Sequence, residues 1–377
     1  MSTDILLTGQ AFGNNRDHSP KGFECNNTRA PLRTQVWPSE GLEAVQNCPA
    51  CQHDRKTLLY DRLWDATFQV APGEWSLWRC GACRSAYLDP RPTEATIGAA
   101  YGSYYTHVDE DAGDPKGGLF TFLKKSLANG YRNWRFGSRF RPSSKLGPVV
   151  FYLAPAKRQQ SDHLLRYLPK LDGRPKSVLD IGCGSGGWLS FARDAGWIAH
   201  GADPDRSAVR VAQSQGLDVR VGDINAWTDV AGRMDAVTMS HVIEHVHDPF
   251  AVLTKAFKLL RPGGQLYVET PNIDAGSHAA FGANWRGLET PRHLVIFNQQ
   301  SLMDILHRAG FISIKQRPGS PDVLSFLIDE SQRIATLSGD VQIGLRDTAL
   351  RQNVSGPGTE FLTFTCRRPE RPSQIRM

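Results

Sequence analysis

Three groups of residues in this 377-residue chain have types and spacings that can do chemistry. The first is a pair of cysteine knuckles, Cys48-Pro-Ala-Cys51 and Cys80-Gly-Ala-Cys83, with 28 residues between them. Thiolates from two such turns can converge into a tetrahedral four-cysteine zinc site, a closed geometry that leaves no open position for catalysis. The second is Val178-Leu-Asp-Ile-Gly-Cys-Gly-Ser-Gly-Gly187, an apolar run entering a loop of glycines. Without side chains, Gly182, Gly184 and Gly186 let the backbone turn tightly and approach a ligand, usually a nucleotide-type one. The third is a set of histidines, His241, His245, His247 and His293. Neutral imidazoles near their natural pKa suit proton removal from a nucleophile.

The glycine spacing alone also fits a dinucleotide loop, through Gly182-x-Gly184-x-x-Gly187. Asp180, two residues before the first glycine, would repel a pyrophosphate but favours the ammonium and sulfonium of S-adenosylmethionine (SAM). Asp203 ends the next apolar run 23 residues later, placed for the two hydroxyls of a ribose. After the third run, the Asp223 carboxylate and its neighbour Ile224 can hold an adenine amino group and ring. Together these favour SAM over NAD.

Alternating elements must position these residues. Strand-like runs occupy Ser177–Ile181, Ile198–Asp203, Asp218–Val221, Ala236–Met239 and Gln265–Glu269. Helical patterns lie between them, the clearest being Pro249–Leu260, with one apolar face. That alternation predicts a doubly wound, mostly parallel α/β sheet. Two later strands, Phe311–Gln316 and Glu360–Arg367, are expected to pair antiparallel at one edge. Residues 55–77, between the cysteine knuckles, can form a hairpin.

The ordered series Leu-Asp-Ile-Gly-Cys-Gly-Ser-Gly, Gly-Ala-Asp203-Pro, Gly-Asp223-Ile, Ser240-His-Val-Ile-Glu244-His-Val-His-Asp248-Pro and Leu260-Arg-Pro-Gly-Gly264 resembles the class I SAM-dependent methyltransferases. The resemblance implies a Rossmann-like seven-stranded sheet with one antiparallel strand. It also implies that Asp180, Ile181, Gly182, Cys183, Gly184 and Gly186 line the methionine end of SAM. Asp203 and Pro204 would then meet the ribose, and Asp223 and Ile224 the adenine. Ser240 and His241 would lie near the reactive face. Glu244 and His245 fall in a stretch common to the family, in either the cofactor shell or catalysis, and His247 falls in a turn before Asp-Pro. The segment Trp285-Arg-Gly-Leu-Glu-Thr-Pro-Arg-His-Leu-Val-Ile-Phe297 resembles a subgroup acting on sugars or small metabolites, which favours His293 as general base or substrate contact. The knuckles, with Tyr87-Leu-Asp-Pro-Arg-Pro92 and Ala99-Ala-Tyr-Gly-Ser-Tyr-Tyr105, resemble the zinc-ribbon part of methyltransferases found with glycan and polysaccharide assembly. Tyr101, Tyr104 and Tyr105 could then reach the substrate mouth.

These readings divide the chain into a poorly ordered leader (1–44), a zinc-ribbon-like module (45–106), a basic connecting segment (107–157) and a SAM-dependent methyltransferase domain (158–377). Between Lys116 and Ser161 stand ten Lys or Arg and no Asp or Glu. Leu119, Leu123, Leu127, Tyr131 and Trp134 recur there at helical spacing. Such a basic amphipathic helix can lie on an anionic membrane surface, which would suit a lipid-linked acceptor. No signal pattern opens the chain and no run approaches the ~18 apolar residues of a span. The expected location is therefore cytoplasmic, with the inner membrane surface within reach of the basic helix. The expected reaction is O-methylation of a saccharide or small metabolite with SAM, supported by a structural zinc. An RNA methyltransferase gripping nucleic acid through its basic and zinc parts is an alternative, although the chain lacks the Asn/Asp-Pro-Pro-aromatic signature of base-amino methylation. A non-catalytic scaffold is a third, against which the intact loop and three acids argue.

Overall fold

A computed structural model describes residues 32–102, 118–319, 323–340 and 358–370. Tyr104, Tyr105 and the leader up to residue 31 lie outside those residues. Short strands organise the N-terminal part: β1 (Leu42–Glu43), β2 (Lys56–Leu63), β3 (Trp75–Cys80), β4 (Ala86–Leu88) and β5 (Arg91–Pro92). β2 and β3 are the hairpin expected between the knuckles, and Lys56 pairs with Cys80, so the second knuckle begins where the ladder ends. Composition places residues 32–44 in a poorly ordered leader, yet they are tied down. β1 pairs with β5, and Trp37 is buried edge-on against Trp75 at 5.4 Å. One buried indole outweighs a polar composition, because its burial alone removes a large apolar area from water.

Three helices follow: α1 (Leu119–Phe136), α2 (Gly147–Leu153) and α3 (Pro155–Leu164). The α/β part then runs β6 (Ser177–Ile181), α4 (Gly187–Ala195), β7 (Ile198–Asp203), α5 (Arg206–Ser214), β8 (Asp218–Val221), β9 (Met234–Ser240), α6 (Pro249–Leu259) and β10 (Leu260–Pro271). It continues through α7 (Gly276–Phe281), β11 (Val295–Ile296), α8 (Gln299–Arg308), β12 (Ile312–Arg317), α9 (Leu324–Leu337) and β13 (Phe361–Arg367). Seven strands form one sheet in the order β12-β13-β10-β9-β6-β7-β8. The last five are parallel, and β13 runs antiparallel to both β10 and β12. This is the Rossmann-like α/β sheet expected from the sequence. Its central strands bury Val178, Leu179, Val237, Met239, Leu266 and Val268, as strands covered on both faces do.

Helix starts are fixed locally. Asp205 caps α5 through the Ser207 amide, Asp248 caps α6 through the Ala251 amide, and Asn298 with Ser301 forms a capping box on α8. These caps aim the loops at the strands' carboxyl ends. The strand order reverses at β6, whose neighbours are β7 on one side and β9 on the other, and a ligand crevice opens there.

The cysteine part is not a separate bead. β11, from the segment after β10, completes a four-stranded sheet in the order β11-β4-β3-β2. Val45, Cys48 and Tyr87 share one apolar cluster with Val237, Leu266 and Phe364 of the larger sheet.

Candidate functional site

The glycine loop lies at this crevice. Gly182 and Gly184 adopt left-handed backbone (φ +72° and +55°), which a side chain would strain. A Cβ on Gly182 would meet Val242 at 2.7 Å, whereas one on Gly184 would meet nothing within 4 Å, so the loop faces open space at Gly184. Ile181 and Cys183 are buried, and Cys183 packs its sulfur over Gly201 as a small filler. Gly186 starts α4.

The three acids sit at successive strand ends, in different settings. Asp180 is fully buried and paired with Arg166, with Thr238 Oγ1 donating to it at 2.8 Å. Burial raises its pKa despite the Arg166 charge, and its charge is already answered from within the chain. Asp203 accepts the Gly184 and Asp205 amides at 2.8 and 2.9 Å, which ties the loop to the second strand end. Pro204 is exposed beside it. Asp223 is exposed and caps the next turn through the Asn225 amide, while Ile224 is buried in the core. The donor set fits SAM at its glycine turn and its strand-end carboxylates.

At the end of β9, Ser240 is followed by His241, held at φ +56°. His241 is partly exposed. Its Nδ1 lies 3.3 Å from Glu244 Oε1 and its Nε2 lies 3.7 Å from Glu269 Oε1. Burial works against an imidazolium, but the contact with Glu244 and the charges of Glu244 and Glu269 raise its pKa above the usual value. Glu244 is fully buried and accepts Thr270 Oγ1 at 2.9 Å. Burial opposes its charge too, yet the contact with His241 and the neighbouring histidines hold it below the usual carboxylate range. Glu269 accepts Thr363 Oγ1 at 2.6 Å and lies 2.7 Å from His163 Nε2. Against the cost of burial, the His163 charge and bond keep this carboxyl far below the usual range.

Behind this pair lie His245 and His293, with ring centroids 4.8 Å apart. The ligand-type atoms of Glu244, His245 and His293 all fall within 4.8 Å of one another. Tyr101 OH lies 3.0 Å from His245 Nδ1. The sequence places His293 on the side where a substrate enters, but in the structure it is enclosed, at 4% exposure. Its Nδ1 bonds the Gly287 carbonyl at 2.8 Å, and burial, ahead of the opposing Glu289 charge, pulls its pKa down to about 4. His247 instead bonds the Pro92 carbonyl at 2.9 Å.

His163, Arg166, Thr238 and Glu269 were not singled out from the sequence. His163 and Arg166 precede the first motif, and nothing in local spacing shows that they fold back onto it. Glu289 and Arg292 extend the cluster to the N-terminal part. Arg292, fully buried, pairs with Asp65 and Glu289 and donates to the Ala100 carbonyl at 2.8 Å.

The four knuckle cysteines come together. Their sulfurs lie within 4.8 Å of one another, with Cys48–Cys83 at 3.6 Å and Cys51–Cys80 at 3.5 Å. A tetrahedron with ~2.3 Å Zn–S bonds has sulfurs roughly 3.8 Å apart, so the set fits a zinc ion. The contact with Cys48, ahead of burial, draws the Cys83 thiol down to about 5, and the same contact pushes Cys48 up.

A family described as "Methyltransferase domain" matches residues 152–316. The ubiquinone biosynthesis O-methyltransferase of Pseudomonas entomophila is 26% identical over 189 residues, 47% of this chain and 79% of that protein. The enzyme of the same description from Coxiella burnetii is 34% identical over 131 residues, 31% of this chain and 56% of that protein. The chain thus spans about half the length of the second relative. A solved methyltransferase, phosphoethanolamine N-methyltransferase 2 of Haemonchus contortus with bound SAM, is 18% identical, with a TM-score of 0.42 over 75% of this chain and 63% of that one. The match to a methyltransferase domain thus runs across the glycine loop at the sheet's switch point.

Proposed function

We propose that the protein transfers a methyl group from SAM to an oxygen of a small metabolite or saccharide, with His241 taking the acceptor's proton. The observation that carries this reading is His241 at the carboxyl end of β9, beside the glycine loop and braced by Glu244 and Glu269. When bound, SAM supplies an electrophilic methyl, so the protein's part is to position the acceptor and deprotonate it. His241 Nδ1 is engaged by Glu244, which leaves Nε2 to receive the proton. Glu269 then faces the imidazolium that forms, and His163 and Thr363 hold Glu269 in place. Thr270 holds Glu244 through Oγ1, and His245 and His293 pack beside it.

A cavity of about 250 Å³ lies near this cluster, although neither His241 nor the glycine loop lines it. Asp61, Arg62, Trp64, Asn284, Trp285 and Glu289 are among its lining residues, and Glu289 joins it to the histidine cluster. The printed names of the ubiquinone-biosynthesis relatives agree with O-methylation. In this reading the cysteine cluster holds one structural zinc, and metal analysis of the purified protein should find about one zinc per chain.

His241→Asn tests the assignment, since asparagine tolerates left-handed backbone. SAM affinity by calorimetry should stay within twofold of the parent, while turnover falls at least about tenfold, the low end for losing a general base. The acceptor is sought by mass spectrometry of glycans and small metabolites from cells with the parent or the His241→Asn protein. The variant cells should lack one methyl on one compound. Parent-like methylation by His241→Asn removes this residue from the mechanism.

A further inference from the structure

The segment between α1 and α3 has its apolar side chains on the wrong side for a helix packed in a core. The residues α1 buries include Ser126, Asn129, Gly130, Tyr131 and Phe136, while Leu119, Phe120 and Phe122 point to solvent. On α2, Val149, Tyr152 and Leu153 are exposed as well, so these six side chains are 52–76% exposed. Soluble helices bury the apolar stripe, and a contiguous exposed one marks an interaction surface.

The two helices are locked in this orientation. Gly130 and Gly147 sit where they cross, and a Cβ on Gly130 would stand 1.8 Å from the Ser144 carbonyl oxygen, one on Gly147 2.3 Å from that of Leu127. Tyr131 stacks on Phe151 with centroids 4.8 Å apart. Polar contacts fix the pair to α3: Tyr131 OH donates to Asp162 at 2.7 Å and Arg132 Nε donates to Ser161 at 3.1 Å. Because α3 also carries His163, which engages Glu269, the apolar face is held rigidly relative to the site.

Charge decides what covers this face. Lys125, Arg139, Arg141 and Lys145 are exposed around it, and no Asp or Glu stands between Lys116 and Ser161. Apolar side chains beside these exposed cations match an anionic lipid surface, where acyl chains take the first and headgroups the second. Among the described residues no helix is long and apolar enough to cross a membrane, so the match is to lying on the surface. We propose that α1 and α2 dock the protein on an anionic membrane surface and thereby hold the methyltransferase site at the lipid boundary. This goes beyond the acceptor reading, which does not require a membrane.

Flotation of the full chain with vesicles tests it. The protein should float with phosphatidylglycerol–phosphatidylcholine vesicles, float poorly with phosphatidylcholine alone, and release as salt is raised. Two variants separate the contributions: Phe120→Ser/Phe122→Ser/Tyr152→Ser and Lys125→Glu/Arg139→Glu/Lys145→Glu. Each should lower partitioning at least about tenfold, since a basic residue near the surface contributes roughly 1 kcal/mol, about fivefold. Thermal melting and SAM binding should match the parent in both. Because SAM binding is read on the same samples, failure of docking is distinguishable from failure of the methyltransferase reading. Equal binding to neutral vesicles, no flotation of the parent, or parent-like flotation of the charge-reversed variant overturns the proposal. So does self-association, seen by sedimentation without vesicle binding and lost in the apolar variant, because it assigns the face to a second copy.

Discussion

His293 and His241 are both imidazoles beside carboxylates, and their surroundings push them in opposite directions. His293, fully enclosed and donating to a carbonyl, stays neutral down to about pH 4, whereas in the unfolded chain it would charge near 6.5. Below pH 6.5 the unfolded state therefore binds the extra proton, and folding stability falls as pH falls from about 6.5 to 4. The full loss is on the order of 3 kcal/mol. Urea denaturation across that range should show the slope, and His293→Gln should flatten it. His241 has the opposite sign: its raised pKa adds stability at low pH that is lost as pH rises through the raised value. Its neutral form is the base, so the acidic limb of the kcat profile should lie above the ordinary imidazole value and disappear in His241→Asn. The sequence named both residues as candidates. Which one is enclosed depended on Glu289 and the Gly287 carbonyl, and residue type does not show those contacts.

At the scale of elements, periodicity predicted the parallel strands and α6 well, because that signal is local. The pairing of β11 with β4 carried no local signal. Two residues, Val295 and Ile296, lie within an apolar stretch that fits a loop equally well. The α1–α2 crossing was equally hidden. Its apolar positions were visible at helical spacing, but the face buried is the one carrying Gly130. Gly130→Ala forces a methyl against the Ser144 carbonyl. It should cost about 1–3 kcal/mol, the usual range for overpacking. A thermal melt should show the lower midpoint, and an unchanged midpoint would mean that the two helices are free to separate.

Across the whole molecule, the cysteine part and the α/β part share a core and are expected to unfold together. Arg292 and Asp65, 227 positions apart, form a buried ion pair, and Asp65 also accepts the Phe68, Val70 and Ala71 amides. Asp65→Ala leaves the Arg292 charge unanswered in the interior, a change that typically costs about 3–5 kcal/mol. Denaturation should show this as one cooperative transition shifted to lower urea. Removing zinc with a chelator should likewise lower the melting temperature of the entire chain, because β4 is shared with β11 through the small sheet. Loss of the N-terminal part to protease with an unchanged melt of the remainder would show instead that the two fold independently.

The sequence by itself determined the order of the elements, the glycine turn, the strand-end acids and the pairing of cysteines into knuckles. Each depends on spacing over a few residues, where backbone geometry and side-chain size act directly. Tertiary structure alone decided that Asp180 is answered by Arg166, that His241 stays partly exposed while His293 is enclosed, and that α1 turns its apolar face outward. Those outcomes depend on which groups from distant parts of the chain share one buried volume, and burial sets both the charge a group can carry and the face a helix can hide.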